Sequence, residues 1–378
     1  MAIRLVLLCV LLFASCARHA RQDVMIDNRV AGISPVRFLS FNDDEIPYEY
    51  DVDMAFSPDG AKLFMNTRGK IVEWTLDEQP VKWTIFQVKG GISSVVLSHN
   101  GTIIAVSELH RPNEMKVAGR IHLIDSATGQ CIREIPAGSG RFPDMMAFSN
   151  DDSLFAWNET SSPYESYGFG EQENRLFVMS LKTGEVVSDS GGITGMRGYI
   201  YISKESGRVC WLRNCWKLKQ SPLSLSDKQE YRLPLYAYSS DGRWGYGIAP
   251  LNDRYEIGIR NYLSGIPCPE ALYQIDLASG KTEIRRRWRD PENTIRVSNM
   301  ATSPDGRLLV IANPNGLHVI DLVANRDLGR LVAPEKWSTG CFVFSPDGKR
   351  IAGRSTQGVC IWDVPSGVQN STTQEGSK

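Results

Sequence analysis

Three oxygen-bearing side chains precede copies of a five-residue phrase that recurs along the chain. Asp53 and Asn299 each lie three residues before a copy, and Asp144 lies four residues before another. Their carboxylate and amide oxygens could ligate a hard cation, but a bound metal normally requires a fuller oxygen shell. The three are therefore weak candidates, and the sequence predicts neither a metal nor a cofactor.

No arrangement suited to nucleophilic or acid-base catalysis stands out in the sequence. Ser188–Gly192, which reads SDSGG, resembles part of a trypsin-type nucleophile motif, but no His and Asp partners can be identified for it. The histidines do not cluster, since His122 and His318 fall at the same place in two distant repeats. We therefore predict no catalytic residue.

The recurring phrase predicts the elements that must position any site. FSPDG starts at Phe56 and again at Phe344. In such a turn Pro presets φ, Asp bonds back to the backbone, and Gly accepts the left-handed conformation. Short apolar runs flank the phrase and read as buried strands, and a third strand follows in most units, so each unit is a meander. Weaker copies (LSHNG, FSNDD, ISKESG, YSSDG and TSPDG) start at Leu97, Phe148, Ile202, Tyr238 and Thr302.

Two segments carry a resemblance to known repeat families. FSPDGKRIAGRSTQGVCIWDVPSG, residues 344–367, resembles the second half of a WD40 repeat, including the Trp362-Asp363 pair. IHLIDSATGQ, residues 121–130, is similar to the YVTN-type propeller repeat, in which Ile-Asp replaces Trp-Asp. None of the seven units carries the Gly-His pair of standard WD40 repeats, so the chain is WD40-like. The resemblance implies an all-β, seven-bladed β-propeller.

The spacing of the units supports the same number of blades. Successive turns start 36 to 64 residues apart, which brackets the roughly 40 to 45 residues of a four-stranded blade. No apolar strand follows Asp363, so the seventh blade lacks its outer strand, and Val36 to Phe41 can supply it and close the ring. The predicted organisation is a signal peptide (1–17), a tether (18–33), the propeller (34–365) and a disordered tail (366–378).

Insertions between the second and third strands concentrate on one face of the predicted ring. They cover residues 108–119, 159–174 and 250–270, in blades 2, 3 and 5. Long loops on a rigid scaffold tend to carry binding residues, and Tyr and Arg are enriched in interface hot spots. The alternative is that these loops pack on one another as a lid. The predicted binding residues of this loop face are His110, Arg111, Tyr164, Tyr167, Phe169, Arg254, Tyr255, Arg260 and Tyr262.

The N-terminus reads as an export signal, with Arg4 followed by an apolar run over residues 5–14 that is too short to span a bilayer. LFASC, residues 12–16, resembles a bacterial lipobox, which would make Cys16 a lipidated N-terminus. Ordinary cleavage after Ala17 is the alternative, and we favour lipidation.

Two other cysteines could form a disulfide. Cys210 and Cys215 flank the short stretch Trp211 to Asn214 in a predicted hairpin, where they are close enough to bridge. A pair of buried free thiols is the alternative, and the sequence leaves both open.

The basic run Arg285-Arg286-Arg287-Trp288-Arg289 falls in the predicted outer strand of blade 5. We interpret it as charge placed on an exposed edge to prevent strand addition, in preference to a docking strip for anions.

The near-neutral balance of 42 basic and 43 acidic side chains argues against a nucleic-acid partner. We predict a non-catalytic, monomeric scaffold or binding module, whose loop face binds a protein or an extracellular polymer. It is expected on the exported side, anchored in the cell envelope by lipid alone, or else periplasmic or secreted. The alternative, which we consider less favoured, is a propeller enzyme with its site at the central channel, either a lactonase-like hydrolase or a quinoprotein-like oxidoreductase.

Overall fold

The computed structural model describes residues 32–41 and, with short gaps, residues 53–365. Its longer gaps are residues 162–173, 189–199, 251–269 and 289–298. The elements of the described residues are β-strands, and they group into seven sheets. Among these residues none forms a helix of the length and apolar character needed to cross a bilayer.

The N-terminal part and the first three blades follow the order that the repeats predict. Two short strands, β1 (Gly32–Ile33) and β2 (Arg37–Ser40), precede the first blade. Blade 1 contains β3 (Met54–Phe56), β4 (Lys62–Thr67), β5 (Lys70–Thr75) and β6 (Lys82–Gln87); blade 2 contains β7 (Gly91–Leu97), β8 (Ile103–Asn113), β9 (Lys116–Asp125) and β10 (Cys131–Pro136); blade 3 contains β11 (Arg141–Phe148), β12 (Leu154–Ser161), β13 (Arg175–Ser180) and β14 (Val186–Ser188).

The remaining blades are antiparallel meanders of the same kind. Blade 4 contains β15 (Ile200–Ser203), β16 (Arg208–Trp211), β17 (Asn214–Gln220) and β18 (Leu223–Glu230); blade 5 contains β19 (Ala237–Tyr238), β20 (Trp244–Pro250), β21 (Glu270–Asp276) and β22 (Thr282–Trp288); blade 6 contains β23 (Asn299–Thr302), β24 (Leu308–Asn313), β25 (Gly316–Asp321) and β26 (Arg326–Leu331); blade 7 contains β27 (Trp337–Phe344), β28 (Arg350–Ser355) and β29 (Gly358–Asp363).

The blades are arranged as a closed ring. First strands of neighbouring blades contact each other in most of the ring, as β3 contacts β7 and β7 contacts β11, and β27 of the last blade contacts β3 of the first. Blades 4 and 5 meet through an apolar cluster that includes Cys210 and Tyr238. The apolar side chains lie between adjacent blades. One cluster, for example, joins Leu63 and Met65 of blade 1 to Ala352 and Val359 of blade 7. The prediction of an all-β, seven-bladed propeller is confirmed.

The repeated turn is held by its own side chains. In blade 1, Ser57 Oγ accepts a hydrogen bond from Lys62 N at 2.9 Å and donates one to Asp59 Oδ1 at 2.5 Å, while Ala61 N donates to the same carboxylate at 2.9 Å. These bonds, from Ser57 first and then Ala61, hold the pKa of Asp59 below its usual range. Gly60 closes the turn with a φ of 68°. The hydrogen-bonding groups of this turn are therefore satisfied within the turn itself.

The N-terminal strand closes the ring as predicted. β2 pairs antiparallel with β29, with Arg37 opposite Ile361 and Ser40 opposite Gly358. Leu39 packs into the core between blades 7 and 1. No pattern in the sequence predicted β1, which lies in the predicted tether and pairs in parallel with the outer strand β26 of blade 6.

The predicted loop of blade 2 is instead an extended hairpin. β8 and β9 continue their pairing beyond the ring as far as Asn113 and Lys116. His110 and Arg111 therefore lie within β8 rather than in an irregular loop. Alternation of polar and apolar residues is weak over this segment, so the sequence did not distinguish a hairpin from a loop.

The basic run of blade 5 is not simply an exposed edge. The Arg286 side chain is fully buried, with Nη1 3.6 Å from Asp327 Oδ2 of blade 6. Arg285 Nη2 donates to Leu322 O of blade 6 at 2.8 Å. These two guanidinium groups join neighbouring blades, which corrects the interpretation drawn from the sequence.

Candidate functional site

The two ends of the ring differ in chemistry. Because the second strand of each blade runs away from the repeated turn, its last residues reach the opposite end, where the long links between the second and third strands begin. Buried polar side chains concentrate there. We call the following set the polar arc: Asp53, Asn66, Ser93, Ser94, Ser107, Asp144, Asn158, Asn299 and Arg354; all are buried except Asp53, which is half-buried.

The second strands contribute to the polar arc at one repeated position. It lies ten residues after the first residue of the turn. In blades 1, 2, 3 and 7 this position holds Asn66, Ser107, Asn158 and Arg354. In blades 5 and 6 the same position holds the apolar residues Ile248 and Ala312. The polarity is therefore confined to part of the ring and is not required by the propeller itself.

Several bonds of the polar arc run between blades 1 and 2. Asn66 Oδ1 accepts from Asp53 N at 2.7 Å, and Asn66 Nδ2 donates to Ile92 O of blade 2 at 3.1 Å. Val95 N of blade 2 donates to Asp53 Oδ2 at 3.2 Å. One carboxylate oxygen of Asp53 is thus fixed by the neighbouring blade.

Blades 2 and 3 are joined in a comparable way. Ser93 Oγ lies 2.7 Å from Ser107 Oγ, and the two hydroxyls donate to Pro143 O at 3.0 and 2.5 Å. In blade 3, Asn158 Oδ1 accepts from Met145 N at 2.7 Å, matching the bond between Asn66 and Asp53 in blade 1. These bonds hold the polar arc rigid before any ligand arrives.

Opposite charges meet at the seam between blades 7 and 1. Cys341 is buried, and both the Asp53 carboxylate and the Arg354 guanidinium are close enough to act on its thiol. Burial is the main cause of a Cys341 pKa far above its usual range; the charge of Asp53 adds to it, and Met54 N and Arg354 partly offset it. Cys341 is therefore a neutral thiol on which both a carboxylate and a guanidinium act.

The three candidate cation ligands lie on the innermost strands or directly before them. Asp144 is buried in β11, at an irregularity in its pairing with β12 between Pro143 and Met146. Asn299, the first residue of β23, is also buried. Within the described parts of the chain, Asp53 and Asp144 do not join a third His, Cys, Asp or Glu in a group of metal-ligand spacing. Their role as ligands stays a prediction.

The three histidines whose side chains the structure describes have different environments, none of them in the polar arc. His99 is exposed and its Nδ1 lies 3.2 Å from Asp152 Oδ1. His122 Nε2 lies 2.8 Å from Glu108 Oε2; burial opposes the charged form of Glu108, but the bonds from His122 and Gly90 N outweigh it and hold the pKa of Glu108 below its usual range. Burial, together with Arg330 and Arg286, lowers the pKa of His318 to about 4.

Most of the predicted loop face cannot be placed. Its residues in the links of blades 3 and 5 lie outside the described part of the chain, as does the predicted lipidation site Cys16. His110 and Arg111 belong to β8, at the end of the ring that carries the polar arc. Those outside the described part are Tyr164, Tyr167, Phe169, Arg254, Tyr255, Arg260 and Tyr262.

The structure joins Cys210 to Cys215 in a disulfide between directly paired residues of β16 and β17, with Cα atoms 4.0 Å apart. Sequence reasoning missed Asn66, Ser107, Asn158 and Arg354. The signal that could have found them is their fixed offset from the repeated turn, because that offset places a residue at the far end of the second strand.

Comparison with known proteins shows the fold. No protein-family model and no curated protein sequence matches the chain. A solved structure of similar fold is described as "Oligogalacturonate lyase in complex with manganese": it has a TM-score of 0.61 and 14% sequence identity, and the match covers 88% of this chain and 97% of that one. At this identity the likeness establishes the propeller architecture.

The likeness contradicts the prediction of a non-catalytic scaffold. The structural neighbour of the same propeller fold is described as a lyase, which is an enzyme, and this favours the alternative of a propeller enzyme. The sequence reasoning gave the inserted loops most weight because the polar arc, assembled from five blades, is not visible as a motif.

Proposed function

We propose that this protein is a propeller enzyme that cleaves an acidic carbohydrate chain at the polar arc. The observation that carries the proposal is the seam between blades 7 and 1, where Asp53, Cys341 and Arg354 place both signs of charge at the end of the ring from which the long links extend. Charged groups held in a partly desolvated setting are typical of active sites. The enzymatic neighbour, whose name gives an oligogalacturonate as substrate, supports the choice of ligand.

The two charged side chains suit β-elimination in a uronate chain. In that reaction a base removes the proton next to the carboxylate, negative charge builds up on the carboxylate oxygens, and the glycosidic oxygen on the β carbon leaves. Arg354 can hold the substrate carboxylate through two parallel hydrogen bonds. Asp53, which Val95 N holds in place through one carboxylate oxygen, would accept the proton. The leaving oxygen takes a proton from solvent.

A hard cation is compatible with the donors of the polar arc. Manganese, which the neighbour's description names, prefers carboxylate, carbonyl and water oxygens. Asp53, Asp144 and Asn299 offer oxygens of this kind, and Asp144 and Asn299 are buried. A cation bound there would supply positive charge for the developing carboxylate dianion. Arg354 serves the same purpose from the protein.

The proposed roles are tested by assaying the protein on galacturonate polymers and oligomers, following the ultraviolet absorbance of the unsaturated product with added manganese and with chelator. Asp53→Asn keeps an acceptor for Val95 N but removes the base, so we expect turnover to fall at least about 100-fold. Arg354→Gln should mainly raise KM. The control is Asp363→Asn, an exposed carboxylate at the turn end of the ring, which should leave activity unchanged.

Unfolding in urea verifies that each variant is folded before it is assayed. Activity that survives in folded Asp53→Asn and Arg354→Gln would refute their roles. A wild-type protein that turns over no uronate chain but opens lactones would instead favour the hydrolase alternative.

We also propose that the enzyme works on the exported side, anchored through lipid on Cys16, as a monomer that meets an extracellular polymer. The apolar run at residues 5–14 and the LFASC sequence support this. Incorporation of radiolabelled lipid should be lost in Cys16→Ser, and labelling that survives would disprove the anchor.

A further inference from the structure

The outer edge of blade 2 brings together three different metal-binding side chains. The ligand atoms of His122, Cys131 and Glu134 all lie within 4.8 Å of one another. His122 Nδ1 is 3.9 Å from Cys131 Sγ and 3.7 Å from Glu134 Oε1. Among the described residues, this is the one group of three His, Cys, Asp or Glu side chains close enough together to hold a metal ion. It lies on β9 and β10, away from the polar arc.

A register irregularity in β10 brings the three side chains together. Cys131 and Glu134 are three residues apart, so a regular strand would point them to opposite faces. The pairing of β10 with β9 shifts between Cys131 and Arg133, which places Cys131 opposite Ile124 and Glu134 opposite His122. One extra residue in the strand brings both side chains to the face of His122.

The surroundings of the cluster orient its histidine. His122 is buried, and its Nε2 is held by Glu108 Oε2 at 2.8 Å, so Nδ1 points to Cys131 and Glu134. The ring of Phe86 from blade 1 packs 5.3 Å away, centre to centre. A carboxylate on the far nitrogen is the usual support of a histidine that ligates zinc.

The charges of this edge balance around a divalent cation. A Cys131 thiolate, Glu134 and Glu108 carry three negative charges, and Arg120 carries one positive charge. Arg120 Nη1 binds Glu134 Oε2 at 3.3 Å, which leaves Glu134 Oε1 directed to His122. A cation of charge two would make the group neutral.

We propose that His122, Cys131 and Glu134 form a zinc site, with Glu108 as the group that orients His122 and water as the fourth ligand. A nitrogen, a sulfur and an oxygen ligand suit zinc, a borderline-soft cation that accepts all three. Tetrahedral zinc holds its ligand atoms roughly 3.3 to 3.7 Å apart. The distances from His122 Nδ1 to Cys131 and Glu134, 3.9 and 3.7 Å, need a closure of only tenths of an ångström, and the third pair, within 4.8 Å, needs at most about 1 Å. Exposed Glu134 and Cys131 can supply that movement. Bound zinc would tie β10 to β9.

Blade 6 offers a matched control. His318 occupies the position of His122 in the repeat, but the residue opposite it on the outer strand is Arg330, where blade 2 has Glu134. The position of Cys131 corresponds to Asp327, whose partner is Arg286. Cations surround this histidine, so it should not bind a metal.

Equilibrium dialysis against zinc, with elemental analysis of the reduced protein, should give one zinc per chain. Cobalt in its place should give a sulfur-to-cobalt charge-transfer band in the near ultraviolet. Cys131→Ser should abolish that band, and His122→Gln should weaken zinc binding at least about 100-fold. Glu108→Gln should weaken it about 10- to 100-fold. His318→Gln should leave zinc affinity unchanged.

Two results would overturn the site. One is zinc that binds equally well to folded Cys131→Ser and His122→Gln proteins. The other is wild-type protein that takes up no zinc, in which case the cluster is only a hydrogen-bonding network. Loss of the band in Cys131→Ser distinguishes this site from any cobalt bound near Cys341 at the polar arc, so the result is independent of whether the proposed enzymatic activity is found.

Discussion

Acidification should destabilise the ring through His318. This side chain is buried between blades 5 and 6, facing Arg330 on β26 and Arg286 on β22, whose own partner is Asp327. Burial and the two guanidinium groups lower its pKa from 6.5 to about 4. The folded protein therefore keeps His318 neutral at pH values where the unfolded chain protonates it.

The sign and size of the effect follow from this difference in pKa. Between about pH 6.5 and pH 4 the unfolded state binds more protons at this residue, so the free energy of unfolding falls as the pH falls. For pKa values of 6.5 unfolded and about 4 folded, linkage gives a loss of about 2 kcal/mol between pH 7.5 and pH 5. Above pH 7.5 the residue contributes no further pH dependence.

The assay is equilibrium unfolding in urea at both pH values. His318→Gln removes the titrating group, so the variant should lose about 2 kcal/mol less than the wild type on the same acidification. Comparing the two losses cancels the cost of the substitution itself at neutral pH. His99→Gln, at an exposed histidine, is the control and should follow the wild type. If His318→Gln loses as much stability on acidification as the wild type, the buried histidine is not kept neutral and the reasoning fails.

Two further predictions concern how the ring is held together. Leu39→Ala removes the core contact of the closing strand β2 and should lower the free energy of unfolding by about 2 to 4 kcal/mol. Phe38→Ala, at a side chain that is 40% exposed, should lower it clearly less. Equal losses in the two variants would contradict closure of the ring by β2. Arg286→Met leaves the partly buried Asp327 without its cation and should cost about 3 kcal/mol in urea unfolding. Lys217→Met, in the exposed pair with Asp227, should change stability little, and a similar loss in both variants would show that burial does not set the cost.

The sequence was sufficient for the strands and turns because their signals are local. Ser57 and Asp59 hold the turn within five residues of chain, so each copy of the phrase predicts a hairpin by itself. The closing strand β2 was also predictable, since blade 7 lacks an outer strand and an open edge must be covered. By contrast, β1 pairs through only two residues, and nothing in Gly32–Ile33 indicates blade 6 as the partner.

The candidate site was less predictable because its residues meet only in three dimensions. Arg286 and Asp327 are separated by most of a blade in sequence, and the basic run around Arg286 therefore looked like an exposed edge. The approach of Cys131 to Glu134 depends on an extra residue in β10, which a period of two does not reveal. Arg354 contributes to the candidate site only together with Asp53, which lies at the other end of the propeller sequence.

The repeat itself shows which of these side chains the fold does not require. The position of His122 and His318 in the third strand is held by Val72 in blade 1 and Cys360 in blade 7, both fully buried. A small apolar residue therefore satisfies the packing there, and a histidine adds only the need to satisfy two ring nitrogens. In blade 6, burial and two nearby guanidinium groups keep His318 neutral. Blade 2 surrounds its histidine with a thiol and two carboxylates. The same position of the repeat thus has a basic environment in blade 6 and an acidic one in blade 2. Only the acidic environment of blade 2 provides ligands for a metal.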